Sequence, residues 1–146
     1  MSTELQIAQP NKTKEYPPRL LWLIVCEQLI VDKKTNKVSF INVSEHLKSK
    51  ILPFAVDGMV LATSWAAQQL DDTVDLRMVV TAPDGEEVLT FAPPTIAFTH
   101  KYERVTIDLT GLTLKQEGPH SFAVEVSVDG VWQAQGSLEI FVTQVK

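Results

Sequence analysis

Between residues 122 and 128 the chain reads Phe-Ala-Val-Glu-Val-Ser-Val and then Asp129-Gly130. A period of two places Phe122, Val124, Val126 and Val128 on one face of a β-strand and Ala123, Glu125 and Ser127 on the other, so one face is dry and one wet. The Asp-Gly dipeptide suits the positive φ angles of a tight hairpin turn. The chain therefore turns back on itself, through Val131 to Gln135 and again through Ser137 to Thr143, as an antiparallel unit.

The same reading extends upstream. Val74, Leu76, Met78 and Val80 alternate with Asp75, Arg77, Val79 and Thr81, and Pro83-Asp84-Gly85 turns the chain toward Val88 to Phe91. Val105 to Thr110 alternates as well, while Met59 to Trp65 and Val38 to Val43 give weaker strands. Leu20 to Val31 is expected to be long and central, because its first half is apolar on both faces, and Lys33 to Lys37 is the polar turn after it. Val, Ile and Thr supply 38 of 146 residues, and no segment carries a capped helical stripe; the best helical candidate is the short piece Ser44 to Lys48, with Ser44 as N-cap. The expected fold is all-β: eight or nine short strands in a two-sheet antiparallel β-sandwich, with at most one short helix. Residues 1–18 are polar, rich in proline and without period, which predicts a disordered tail ahead of one domain over residues 19–146.

The 13 Lys and Arg against 18 Asp and Glu give a net charge of −5, which argues against a nucleic-acid or anionic-membrane partner, since such binding needs concentrated cations. Residues 1–73 carry 8 basic and 8 acidic side chains, whereas residues 74–146 carry 5 and 10. The ten acids of the second half form no block and read as a solvated face. The apolar run Leu20 to Cys26 is far shorter than the roughly 20 residues a membrane-spanning helix needs, so it reads as a buried strand. One cysteine and no recognisable secretion signal point to a cytoplasmic location.

Catalytic chemistry finds few candidates. Cys26 as a nucleophile would need an exposed thiolate beside His46, His100 or His120, yet it stands in the most apolar stretch and reads as a small buried hydrophobe. No Gly-x-Ser-x-Gly elbow and no glycine-rich phosphate loop is present. The histidines are too widely spaced for a zinc site, and Asp71, Asp72 and Asp129 are turn residues without a calcium-loop pattern. No catalytic, cofactor-binding or metal residue is assigned, and no cofactor is expected.

The segment Pro17-Pro-Arg-Leu-Leu-Trp-Leu-Ile-Val-Cys-Glu-Gln-Leu-Ile-Val-Asp32, followed by Lys37-Val-Ser-Phe-Ile-Asn-Val43, resembles the opening of a family of small uncharacterised bacterial proteins. Gly111 to Leu114 and Gly118 to Gly130 are similar to that family's closing strands. The resemblance implies a stand-alone β-sandwich with no catalytic residues to carry over. Gly118-x-His120-x-Phe122 also resembles the immunoglobulin-type corner, with His120 in the place of the tyrosine and Phe122 in that of the core cysteine. The reading is thus a non-enzymatic, immunoglobulin-like sandwich that works through a protein partner or homo-oligomer. Its expected interaction edge is the last strand, Leu138, Ile140, Phe141 and Val142, where Glu139 is the only charge. The alternative is a carbohydrate-binding module that stacks sugars on Trp132 and Trp65, and an enzyme with an unrecognised site ranks third.

Overall fold

The structure is a computed structural model that describes residues 17–70 and 72–146. One sheet holds β10 (Tyr102–Asp108), β5 (Val60–Ala66), β1 (Arg19–Val31) and β2 (Val38–Val43), in that order. The other holds β3 (His46–Ser49), β13 (Val131–Gln144), β12 (Gly118–Val128), β7 (Leu76–Thr81) and β8 (Glu87–Phe91). Two short ladders join β4 (Phe54–Ala55) to β11 (Thr113–Leu114) and β6 (Asp72–Val74) to β9 (Ile96–Phe98). The all-β class stands as expected. The thirteen strands exceed the expected eight or nine because β3, β4, β6, β9 and β11 are two to four residues long, too short to show a period of two.

Between the sheets lies one core. Leu76, Met78 and Val80 of β7, Phe122, Val124 and Val126 of β12, and Ile140 and Val142 of β13 meet Val25, Leu61, Trp65 and Ile107 of the opposite sheet. Polar groups inside it are bonded: Trp65 Nε1 donates to Thr63 Oγ1 at 2.8 Å, and Thr63 Oγ1 donates to the Val105 carbonyl at 2.7 Å. That chain satisfies a buried indole and a buried hydroxyl, each of which would otherwise be costly to desolvate.

Three local expectations are corrected. Ser44 to Lys48 is not helical: His46 to Ser49 forms β3, which pairs in parallel with β13 from Phe141↔His46 to Gln144↔Ser49. Ser44 caps nothing; its amide donates to the Val25 carbonyl at 2.8 Å and its hydroxyl to the Asn42 carbonyl. One short polar cap signal is weaker than four backbone pairings with a neighbouring strand. The sandwich is therefore not purely antiparallel. The segments 131–135 and 137–143 are one strand, continued through a bulge that leaves Gln135 without an opposite between Val124↔Gly136 and Glu125↔Ala134. The Asp129-Gly130 turn, with φ of 52° and 80°, has the conformation its sequence predicts.

β1 is as long as expected, but its two halves do different work. Arg19 to Cys26 pairs with β5, and Cys26 to Val31 pairs with β2. Beyond Cys26 the β1–β2 hairpin folds back over the outer face of its own sheet. Trp22 lies on that face, paired with Ser64, and its ring meets Phe40 of β2 edge-on at 5.1 Å. Arg104, on the same face, reaches Asn36 at the hairpin tip. The hairpin explains why Cys26, Ala62 and Ser64 are buried although they point away from the main core. No helix of the described residues is long and apolar enough to cross a membrane. Residues 1–16 of the expected tail lie outside the described residues, and Pro18 is buried.

Candidate interaction surface

β8 ends its sheet. Its inner edge pairs with β7, from Met78↔Phe91 to Thr81↔Glu87, and its outer edge has no strand partner among the described residues. Pro83-Asp84-Gly85 makes the preceding turn, in which Gly85 takes a φ of 90° and donates to the Ala82 carbonyl at 2.9 Å. Asp84 secures it by accepting the Glu86 amide at 2.9 Å, which is the chief reason its carboxyl titrates below the ordinary aspartate value. The other Asp84 oxygen accepts from Gln116 Nε2 at 2.9 Å. That bond ties the β7–β8 turn to the segment leading into β12.

Between β8 and the chain from Leu109 to Gln116 runs a groove. One part, of about 290 Å³, is lined by Met78, Leu89, Phe91, Ile107, Leu109 and Leu112. A second, of about 480 Å³, shares Leu89 and Leu112 and continues past Val88 to Glu86, Glu87 and Lys115. The far wall is held in place: the Gly111 amide donates to Val56 O and the Leu109 amide to Met59 O, both at 2.9 Å. Gly111 has a φ of 95°, so the turn depends on glycine there. Leu89 and Phe91 remain 36% and 44% exposed, and they face the groove because they pair with the core residues Val80 and Met78. The result is an unpaired strand edge beside a row of apolar side chains, the arrangement onto which an extended chain adds as a further strand.

The residues singled out from sequence fall elsewhere. Leu138, Ile140, Phe141 and Val142 form an open edge only in part: β12 pairs with one side of this strand, while on the other β3 pairs from Phe141 onward and Leu138 to Ile140 have no strand partner among the described residues. Ile140 and Val142 are wholly buried core residues and Leu138 packs against the core. Phe141 alone stands out, with its ring against His46 at 5.9 Å. β3 is four residues long and carries no period of its own, so nothing in the sequence marks the cover it gives to Phe141 and Val142. Trp65 cannot stack a sugar, being 1% exposed. Trp132 is half-buried, and Arg77, itself paired with Glu125 at 2.7 Å, lies over its ring at 4.4 Å. β8 carries the signal that could have marked it, a five-residue strand ending in exposed Leu and Phe, but the sequence alone does not say which strands end a sheet.

The remaining chemical candidates stay apart. Cys26 is buried, and burial pushes its thiol above the usual range. His46 bonds Thr143, His100 lies beside Glu103, and His120 is buried on the core face of β12. Asp71 lies outside the described residues, and no group of three or more His, Cys, Asp or Glu among those described is placed to hold a metal. No curated protein matches the chain. Residues 21–141 match the model of a family of unknown function, DUF6941, a span from β1 into β13 that takes in both sheets, and the chain belongs to that family.

Proposed function

We propose that this domain is a non-enzymatic, immunoglobulin-like β-sandwich that acts by binding a protein chain along the free edge of β8. The immunoglobulin-like part draws support from the connections. Apart from the excursion of β3, the chain crosses between sheets after β5, after β8 and after β10, which sets β1, β5 and β10 against β7, β8, β12 and β13 in the Greek-key manner. The binding part rests on one observation, the unpaired β8 edge bordered by Leu89, Phe91, Leu109 and Leu112. An edge of this kind supplies affinity through the backbone and selectivity through alternate side chains. We also assign the domain to a reducing cytoplasm, because its one cysteine is a buried free thiol.

Selection of short random peptides on the full chain tests the reading. Winners should alternate apolar and polar residues, and their binding should be lost in Phe91→Glu and in Leu89→Lys while it survives in Tyr102→Glu on the other sheet. Thermal melts of the three variants check that each remains folded. Winning peptides indifferent to both β8 substitutions, or no winners at all, would overturn it.

A further inference from the structure

The chain is acidic overall, yet one corner of it is not. Lys101 leads into β10 at the end of the sheet where Ala67 follows β5, its carbonyl accepting the Ala67 amide at 2.7 Å. The β1–β2 hairpin brings its tip, with Lys33, Lys34 and Lys37, to the same place, because Arg104 donates from Nη1 to Asn36 Oδ1 at 3.1 Å and from Nη2 to the Asn36 carbonyl at 2.6 Å. Lys33, Lys34, Lys37, Lys101 and Arg104, five of the 13 Lys and Arg, lie on these two segments. None of the five has a carboxylate within salt-bridge distance among the described residues, where Arg77 and His100 make the ion pairs.

Two acids of this corner, among the described residues, are already engaged. Asp32 accepts the Lys34 and Thr35 amides at 2.8 and 3.1 Å, and so closes its own turn. Glu103 faces the preceding loop, where its Oε1 accepts from Thr99 Oγ1 at 3.3 Å and from the His100 amide at 3.2 Å. Between the hairpin tip and β10 lies a cleft of about 540 Å³, lined by Asn36, Ser64, His100, Lys101, Tyr102, Glu103 and Arg104, with the Glu103 carboxylate held on the His100 side at 3.4 Å from its Nδ1. That volume falls within the size range of small-ligand sites. Asn36 takes two of the five guanidinium N–H groups of Arg104, which leaves three donors on a cation that cannot be deprotonated.

Arg104 therefore has donors beyond those that tie down the tip, and Lys101 lines the same cleft. We propose that this cleft is an oxyanion site, in which Arg104 holds a phosphoryl or carboxylate group and Lys101 adds charge at the rim. Asn36 is the positioning residue: its backbone, at a φ of 59°, turns its carbonyl and side-chain oxygen onto the guanidinium and fixes the fork. The ligand is either a small phosphorylated molecule or an acidic segment of a partner, since the donors read the oxyanion and not what carries it. The site is independent of the β8 edge.

Calorimetric and amide-shift titrations of the full chain with inorganic phosphate and with tri-glutamate test this. At least one should saturate and shift the amides of residues 36 and 101–104. Arg104→Gln should weaken it by roughly tenfold, and Lys101→Ala by several-fold. Lys48→Ala, on β3 of the other sheet, should leave it unchanged. Lys101 is exposed, so its variant keeps the test sound if Arg104→Gln loosens the hairpin. Saturation by phosphate alone identifies a small phosphorylated ligand, and by tri-glutamate alone an acidic chain. Failure of both to saturate, or affinity untouched by both variants, overturns the proposal.

Discussion

Leu20 and Gly136 are pressed together across the two sheets: a Cβ on Gly136 would stand 2.6 Å from Leu20 Cδ2. Each sits at an irregularity, Leu20 at the β1 bulge before Trp22 and Gly136 at the β13 bulge after Gln135. Gly136 is not in the left-handed region, so space and not backbone freedom calls for glycine. Only the end of a flexible side chain must move to admit one methyl group. Gly136→Ala should therefore cost about 1 kcal/mol or less, and the branched Gly136→Val roughly 2–3 kcal/mol, by overpacking. Denaturant titration of both variants measures the difference. Equal costs would show that Leu20 does not confine the site.

Trp22 and Phe40 join the folded-back hairpin to the sheet beneath it. Their edge-on contact at 5.1 Å predicts a coupling of about 0.5–1.5 kcal/mol in a double-mutant cycle to alanine. Phe40→Ala should also speed labelling of native Cys26 by a thiol reagent, since the hairpin is what covers that outward-facing side chain. Additive energies with unchanged labelling would mean that the hairpin is held mainly by Arg104 and Asn36.

Cys26 carries a prediction at alkaline pH. Burial raises its folded-state pKa above the ordinary thiol value of 9.0. The stability this thiol contributes is thus complete below that value, where both states are protonated. It is lost as pH rises from there toward the folded pKa, because the unfolded state ionises first. Cys26→Ala should cost about 1 kcal/mol at neutral pH through lost packing and should flatten the alkaline part of the stability curve. Melting temperatures from pH 8 to 11 for both proteins provide the comparison; parallel curves would assign the alkaline loss to other groups.

What the sequence disclosed, and what it did not, follows from the range of the interactions. Phe122 to Gly130 declared a strand, its two faces and its turn, because each depends on neighbours along the chain. Cys26 is legible as buried, though not the reason: it lies on the outer face of its sheet, on the side where the β1–β2 hairpin folds back, and not on the face toward the opposite sheet. Glu27 and Gln28 end the doubly apolar stretch just where β1 passes from β5 to β2, but such a change does not reveal a fold-back, so Leu20 to Val31 reads as one long strand. The sheet edges are hidden for a related reason. How far Leu138 to Val142 is covered depends on β3, four residues whose partner lies some ninety positions away, and that Glu87 to Phe91 ends the other side depends on the order of β7, β12 and β13. The groove beside β8 and the cleft at Arg104 are both built by residues distant in sequence, and no motif announces either.

His120 supplies the last prediction. It is wholly buried on the core face of β12, opposite Ile140. Its Nδ1 lies 3.1 Å from the Gly118 carbonyl, which only accepts, so Nδ1 carries the proton and Nε2 presents a bare lone pair. That Nε2 is buried with no partner among the described residues. The bond to Gly118 spans two residues of the same strand, so it orients the ring without joining distant parts of the chain. An orphaned buried acceptor costs about 1–3 kcal/mol, more than one neutral hydrogen bond returns. His120→Leu, similar in volume and without polar atoms, should therefore leave the melting temperature unchanged or raise it. His120→Ala should lower stability by roughly 2–4 kcal/mol through the cavity it opens. A leucine variant as damaged as the alanine one would show that Nε2 has a partner of its own in solution, and that this histidine is held by more than the Gly118 carbonyl.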